Sequence, residues 1–143
     1  MPGQPQAAPF LTFDVRSMDV TETGAISLVP YTIIPRNTPF KVSTEFAFGG
    51  GFATWLVSLG LAWFAKFYVE SIGPGYEGEL GSSSGTTAAG QLSYGLPTTA
   101  VSVAGIANPG TYKLTCAITI GTGTAGPPSP IAGFVEGPMI QIT

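Results

Sequence analysis

FAFGGGFATWLVSLGLAWFA, residues 46–65, is a run without a charge in a chain whose charged residues make up only 9% of the total. Its length matches the roughly twenty apolar residues that cross a bilayer, so it reads either as a membrane helix or as strands of an all-β module. Periodicity separates the two. From position 55 every second residue is apolar: Trp55, Val57, Leu59, Leu61, Trp63, Ala65, Phe67 and Val69, a set that continues past the first charge at Lys66. The alternate set, including Leu56, Phe64, Lys66, Tyr68 and Glu70, is mixed and turns polar. A period of two belongs to strands. Gly49, Gly50 and Gly51 interrupt any helix entering from Glu45, and aromatic and β-branched residues favour a pleated surface. Strands are therefore expected, with a break near 58–60, because a strand from Trp55 to Val69 would exceed the usual length of about 3–10 residues. A short helix within 52–60 is the alternative.

The 143 residues suffice for one domain with its own core. Twenty glycines and thirteen prolines fall in short clusters, as turns between short strands require. The net charge of −3 rests on five basic and eight acidic residues with no basic cluster, which argues against nucleic acid as a partner. An ordinary soluble domain has about a quarter of its residues charged, so part of this surface is expected to be covered by copies of the chain, a larger assembly or lipid. A hydroxyl-rich surface of Ser, Thr and Gly is the plainer alternative. Cys116 is alone and histidine is absent, so neither an internal disulfide nor a thiolate cluster is available. MPGQPQAAP at 1–9 lacks the basic and apolar regions of a secretory signal. The expectation is a flexible N-terminal arm over 1–9, a single domain over 10–143, and synthesis for the cytoplasm or a particle assembled there.

Outward from the opening run, Phe40, Val42, Thr44, Phe46 and Phe48 alternate with Lys41, Ser43, Glu45 and Ala47, which marks a strand. Before it, Leu11, Phe13 and Val15 alternate, and the pattern shifts by one at Met18 and Val20, which suggests a bulge or a change of sheet. Residues 26–34 read as an edge segment because Pro30 cannot donate to a ladder. The tract 73–90, containing GSSSGTTAAG at 81–90, is expected to be the longest loop. Short strands follow at 91–94 and 99–106. Tyr112, Leu114, Cys116, Ile118 and Ile120 then alternate with Lys113, Thr115, Ala117 and Thr119 in the clearest strand of the chain, and 131–135 and 139–142 close it. Seven to nine short strands separated by turn signals imply a single antiparallel β-sandwich.

PGTYKLTC at 109–116 resembles the penultimate strand of immunoglobulin-like domains, especially those of bacterial and viral surface proteins. In that family a turn delivers a tyrosine to the sheet corner and the strand then runs through the core. The strand bearing Trp63 would resemble the one that carries the core tryptophan. Spacing departs from antibody domains, since Tyr112 precedes Cys116 by four residues rather than two and no partner cysteine exists. The resemblance implies a fold and not antigen-type binding.

Chemical motifs are sparse. GPGYEG at 73–78 and GTGTAG at 121–126 both match G-x-G-x-x-G, but neither opens the helix whose N-terminus would hold a phosphate. Glu70, Glu77 and Glu79 lie near one turn, where a calcium ion could use carboxylates, yet no Asp-rich loop accompanies them and three separated glutamates on a turn are more often a solvated rim. Without histidine a Ser or Cys nucleophile would depend on Lys66 or Lys113 as base. No catalytic residue, cofactor or metal is therefore expected. Trp55, Phe64, Tyr68 and Tyr31 lie on the ambiguous segment or on opposite faces, and exposed together they could form a platform for a sugar or a partner protein. PPSP at 127–130 could serve as a polyproline ligand or simply as a rigid connection. These readings converge on a non-enzymatic structural β-sandwich that self-associates into a filament, shell or virion component through low-charge apolar surface, with Trp55, Leu56, Phe64 and Tyr68 at the interface and the proline-rich arm crossing to a neighbour. A carbohydrate- or ligand-binding module using Trp55, Tyr68 and the Gly/Ser loop is one alternative. A domain anchored in a membrane through 46–65 is another.

Overall fold

Alternation decides which side chains meet. In the computed structural model, which describes residues 10–22, 32–95, 98–121 and 128–143, the inward set Phe40, Val42, Thr44, Phe46 and Phe48 is buried throughout, as are Trp63, Ala65, Phe67 and Val69 and the set from Tyr112 to Ile120. These residues occupy strands β3 (Phe40–Gly49), β4 (Ala62–Ser71) and β8 (Gly110–Gly121). The remaining elements are β1 (Thr12–Glu22), β2 (Ile33–Ile34), α1 (Ala53–Val57), β5 (Gly78–Thr86), β6 (Ser93–Tyr94), β7 (Val101–Val103) and β9 (Pro128–Ile142).

The nine strands among the described residues form two sheets. One has the order β1-β3-β6, with β7 also on β3, and the other runs β2-β9-β8-β4-β5. Their apolar faces meet in one core, which makes the molecule an all-β sandwich. Pairing is antiparallel except between β2 and β9, which run parallel, a departure from the wholly antiparallel expectation. β1 does carry a bulge: Val15 pairs with Phe46 and Ser17 with Glu45, leaving Arg16 as the extra residue.

Aromatic rings lock the two sheets together. Phe46 of β3 meets the Trp63 indole edge-on at 5.5 Å and stacks on Tyr94 at 5.1 Å. Burying each such side chain stabilises the fold by about 1.5–3 kcal/mol. Thr44 and Thr99 satisfy each other inside this core, the Thr44 N–H donating to Thr99 Oγ1 at 3.1 Å and the Thr99 hydroxyl donating to the Thr44 carbonyl at 2.6 Å. At the start of β8 the Tyr112 hydroxyl donates to the Asn108 carbonyl at 2.8 Å, closing the turn that precedes the strand.

Two expectations are corrected. The interruption of the run 46–65 is not a strand break at 58–60 but the short helix held as the alternative within 52–60: the run divides into the end of β3, the one-and-a-half-turn α1 and the start of β4. Gly50 and Gly60, with φ of 91° and 65°, supply left-handed turns on either side of α1 that no strand could pass through. Ala53, Leu56 and Val57 point into the core while Trp55 and Leu59 are exposed, so the apolar parity from Trp55 to Leu61 marks no single buried face, and no helix of the described residues is long and apolar enough to cross a membrane. Second, the tract 73–90 is not one long loop, because β5 pairs along β4 from Ala62 with Thr86 to Val69 with Gly78. Neighbouring ladder groups, rather than the low strand propensity of Gly and Ser, decide that segment. The arm at 1–9, most of the edge segment 26–34 with Tyr31, and residues 122–127 lie outside the described residues.

Gly85 of β5 shows how tight this arrangement is. A Cβ there would stand 2.7 Å from Trp63 Cζ2 and 2.8 Å from Cε2. Gly85→Val is expected to force the indole aside and destabilise the protein by about 1–3 kcal/mol, read as a lower urea midpoint with unchanged β-type circular dichroism below the transition.

Candidate functional site

With Trp63, Ala65 and Phe67 facing inward, Phe64, Lys66, Tyr68 and Glu70 of β4 face away from the core. The register carries this outer face across three strands. Phe64 pairs with Thr119, Lys66 with Ala117, Tyr68 with Thr115 and Glu70 with Lys113. Those β8 residues pair in turn with Ala132, Phe134, Glu136 and Met139 of β9. Phe134 is 66% exposed and Met139 52%, whereas Phe64 and Tyr68 are half-buried. Ala117 and Ala132 hold the ground between them, so the aromatic rings stand over small neighbours.

Charge on this face is confined and partly self-satisfied. The Lys113 ammonium donates to Glu136 Oε1 at 2.9 Å, and that hydrogen bond, followed by the attraction of Glu136, raises the lysine's affinity for its proton. Both groups are exposed, so solvent screens the pair. Lys66, flanked by Ala117 and Ser82, has no ion-pair partner among the described residues.

The predicted interface residues separate in the structure. Phe64 and Tyr68 share the outer face. Leu56 does not join them: it is 8% exposed and packs in the core through α1, because helical rather than strand geometry aims it inward. Trp55, 55% exposed, lies at one end of the sandwich, where Phe10 stacks on Phe52 at 4.7 Å and Phe52 meets Trp55 at 4.6 Å. Three rings piled in this way leave the outer ring faces to solvent and do not make a flat platform. Phe134, Met139, Phe10 and Phe52 were not singled out from sequence. The alternation of 131–135 places Phe134 opposite Ile131 and Val135, which is the signal that identifies it, while the register shift near Gly137 and Pro138 hides Met139.

Elsewhere, an open cavity of about 380 Å³ lies at the other end, lined by Tyr76, Glu79, Leu80, Val103, Ile106 and Asn108 among others. The Tyr76 hydroxyl donates to the Glu79 carbonyl at 2.9 Å. Gly73 to Gly78 connects β4 to β5, strand to strand, so this G-x-G-x-x-G segment opens no helix. Glu70 and Glu79 stand opposite Lys113 and Tyr68, and no group of three or more His, Cys, Asp or Glu able to hold a metal occurs among the described residues. Cys116 is fully buried. Desolvation pushes its thiol up to about 12, with the Thr44 side chain offsetting part of the shift.

No protein-family model matches the chain, and no curated protein matches it. Among solved structures the chain is similar to β-glucosidase from Listeria innocua, at 7% identity and a TM-score of 0.45 over 95% of this chain and 16% of that one. The same protein in complex with gluconolactone gives 8% identity and a TM-score of 0.42 over 94% and 17%. The chain thus spans less than a fifth of those proteins, and similarity at this level carries nothing about activity.

Two outcomes follow from these placements. Leu56→Ala should cost about 2–5 kcal/mol in denaturant unfolding, whereas Trp55→Ala should stay within about 0.5 kcal/mol. The Cys116 thiol should resist a water-soluble disulfide reagent in the native protein at pH 8 and react once in urea. Its unfolded thiol ionises near 9.0 and its folded one near 12, so the stability it protects is intact below pH 9 and declines as the pH climbs toward 12. Cys116→Ala should flatten that alkaline decline.

Proposed function

We propose that the chain is a non-enzymatic immunoglobulin-like β-sandwich that serves as a repeated subunit of a larger assembly, associating with copies of itself through the outer face of the five-stranded sheet. The strand order β2-β9-β8-β4-β5, the core tryptophan on β4 and the Tyr112 hydroxyl bound back to Asn108 support the immunoglobulin-like part of this reading. The exposure of Phe134 on a face shared with Phe64, Tyr68 and Met139 is the observation that carries the association. An exposed phenylalanine on a sheet face gains about 25 cal/mol for each Å² of apolar surface it loses to a neighbour.

The size of the face is adequate. Four strands spaced about 4.8 Å apart and about nine residues long cover on the order of 600 Å² in plan. Standard interfaces bury about 800 Å² of accessible surface per partner, and side-chain relief brings the face into that range. Its charges suit a second copy as well: the unpaired Lys66 of one subunit can approach Glu70 of another across a two-fold axis, while Lys113 and Glu136 neutralise each other within each copy. A carbohydrate module would rest on Trp55 and Tyr68 acting together with a Gly/Ser loop. Here Trp55 belongs to α1, Tyr68 to the outer face of β4, and the Gly/Ser tract to β5.

Sedimentation velocity at low micromolar concentration tests the proposal. The native chain should sediment as a multimer, and Phe134→Glu should reduce it to a monomer with an unchanged β spectrum. A native chain that sediments as a compact monomer would refute the assembly.

A further inference from the structure

Charge is distributed unevenly along this sandwich. Arg36, Lys41, Glu70, Glu77 and Glu79 lie toward the end where β8 begins, whereas the end crossed by α1 carries no charge among the described residues. There β3 stops at Gly49, α1 crosses from one sheet to the other, β4 starts at Ala62, and the adjoining segment 87–92 is uncharged. The charges nearest this end are Asp14, paired with Ala47, and Glu45 and Lys66, each four residues inside its strand. At about 3.3 Å per residue the strands are free of charge for about 7–13 Å below α1. Exposed apolar side chains gather in that space. Phe10 is 71% exposed, Trp55 55% and Leu59 49%, and Phe52 lies between the first two rings. The remaining exposed residues of 50–60 are Gly50, Gly51, Thr54, Ser58 and Gly60, all uncharged. Main-chain polarity is withdrawn as well. The N–H groups of Phe52, Ala53, Ser58 and Leu59 donate to the carbonyls of Phe10, Gly50, Trp55 and Leu56 at 2.9–3.2 Å, and the Ser58 hydroxyl donates to the Trp55 carbonyl at 2.6 Å. The Leu61 N–H donates to Thr87 Oγ1 and the Thr87 N–H to the Leu61 carbonyl, each at 2.8 Å. A surface facing water does not require this closure, but one facing hydrocarbon does, because hydrocarbon offers an unpaired main-chain group no partner.

We propose that the α1 end of the sandwich docks on a phospholipid bilayer, with Phe10, Trp55 and Leu59 entering the boundary between head groups and acyl chains. Area favours lipid over protein. Aromatic side chains present about 150–250 Å² each, so at these exposures the tip offers on the order of 350 Å² with Leu59 included. Two copies meeting tip to tip would bury on the order of 700 Å² in total, below the range of about 1,200–2,000 Å² for specific interfaces. A bilayer needs no complementary partner surface. Interfacial elements enter it by about 5–10 Å, a depth that sinks α1 and leaves Asp14, Glu45 and Lys66 in water. Tryptophan favours that level of the membrane, where its ring is sheltered and its N–H stays near the head groups.

This contact is separate from the outer face proposed for self-association. Its test uses the full chain with Phe134→Glu, which keeps the outer face from binding either lipid or a second copy. Trp55 serves as the probe, since Trp63 is 1% exposed and already shielded. With unilamellar vesicles of zwitterionic phosphatidylcholine, the chain should float with the lipid and the Trp55 emission should shift to the blue. Lipid brominated high on the acyl chain should quench that emission more than lipid brominated near the chain end. Trp55→Glu and Leu59→Glu should each lower partitioning at least about tenfold with an unchanged β spectrum. Binding should persist at about 1 M salt, where charge attraction is screened within about 3 Å. No flotation, flotation that both glutamate variants retain, or flotation that needs anionic lipid and fails in salt would overturn the docking. So would a blue shift that grows with protein concentration without vesicles, which would assign the tip to a second copy. None of these outcomes depends on whether the native chain forms a multimer.

Discussion

The contact between the Trp63 indole and the bare backbone of Gly85 sets much of this molecule. Trp63 enters the core from β4, meets Phe46 of the facing sheet, and covers the neighbouring strand so closely that a methyl group at 85 would collide with it. The ring therefore fixes three things together. It spaces the two sheets, it holds β5 to small residues, and by pointing inward it turns Phe64, Lys66 and Tyr68 outward. A similar constraint operates at Gly81, where a Cβ would stand 2.6 Å from Val101 of the facing sheet. The sparse side chains of β5 are thus a packing requirement on one side of the strand before they are a surface property on the other.

That origin explains why the strands differ in how plainly the sequence announces them. β3, β4 and β8 are legible because their inward residues are uniformly apolar and their outward residues are not, the pattern that burial of one face imposes. β5 carries no such pattern, since its inward positions are filled by Trp63 and Val101 from elsewhere and only glycine and serine fit beneath them. Its strand character comes from β4, and a local reading sees a flexible tract. α1 misleads for a different reason. Its buried residues Ala53, Leu56 and Val57 follow helical spacing, yet Trp55 and Leu59 are apolar and exposed, so no polar side marks the helix and a period of two fits the same letters.

The candidate face follows the same division. Phe64 and Tyr68 are legible from the parity of β4 alone. Leu56 was drawn into the same set by extending that parity backwards across Gly60, where the chain reverses through a left-handed conformation and parity loses meaning. Phe134 and Met139 sit on a strand whose glycines at 133 and 137 leave room for Val15 and Met18 of β1, so only Ile131 and Val135 mark its inward side and the alternation that would set Phe134 outward is short and interrupted.

Under the proposed association, a surface with so few charges would hold a neighbour mainly through apolar area. The outer face offers apolar area, whose attraction is non-directional and tolerant of sliding. Its charges are cross-strand and exposed, so they set orientation more than affinity. A nearly flat apolar face specifies no single alignment, so under the proposed association the exposed charges of β4, β8 and β9 would have to supply the orientation.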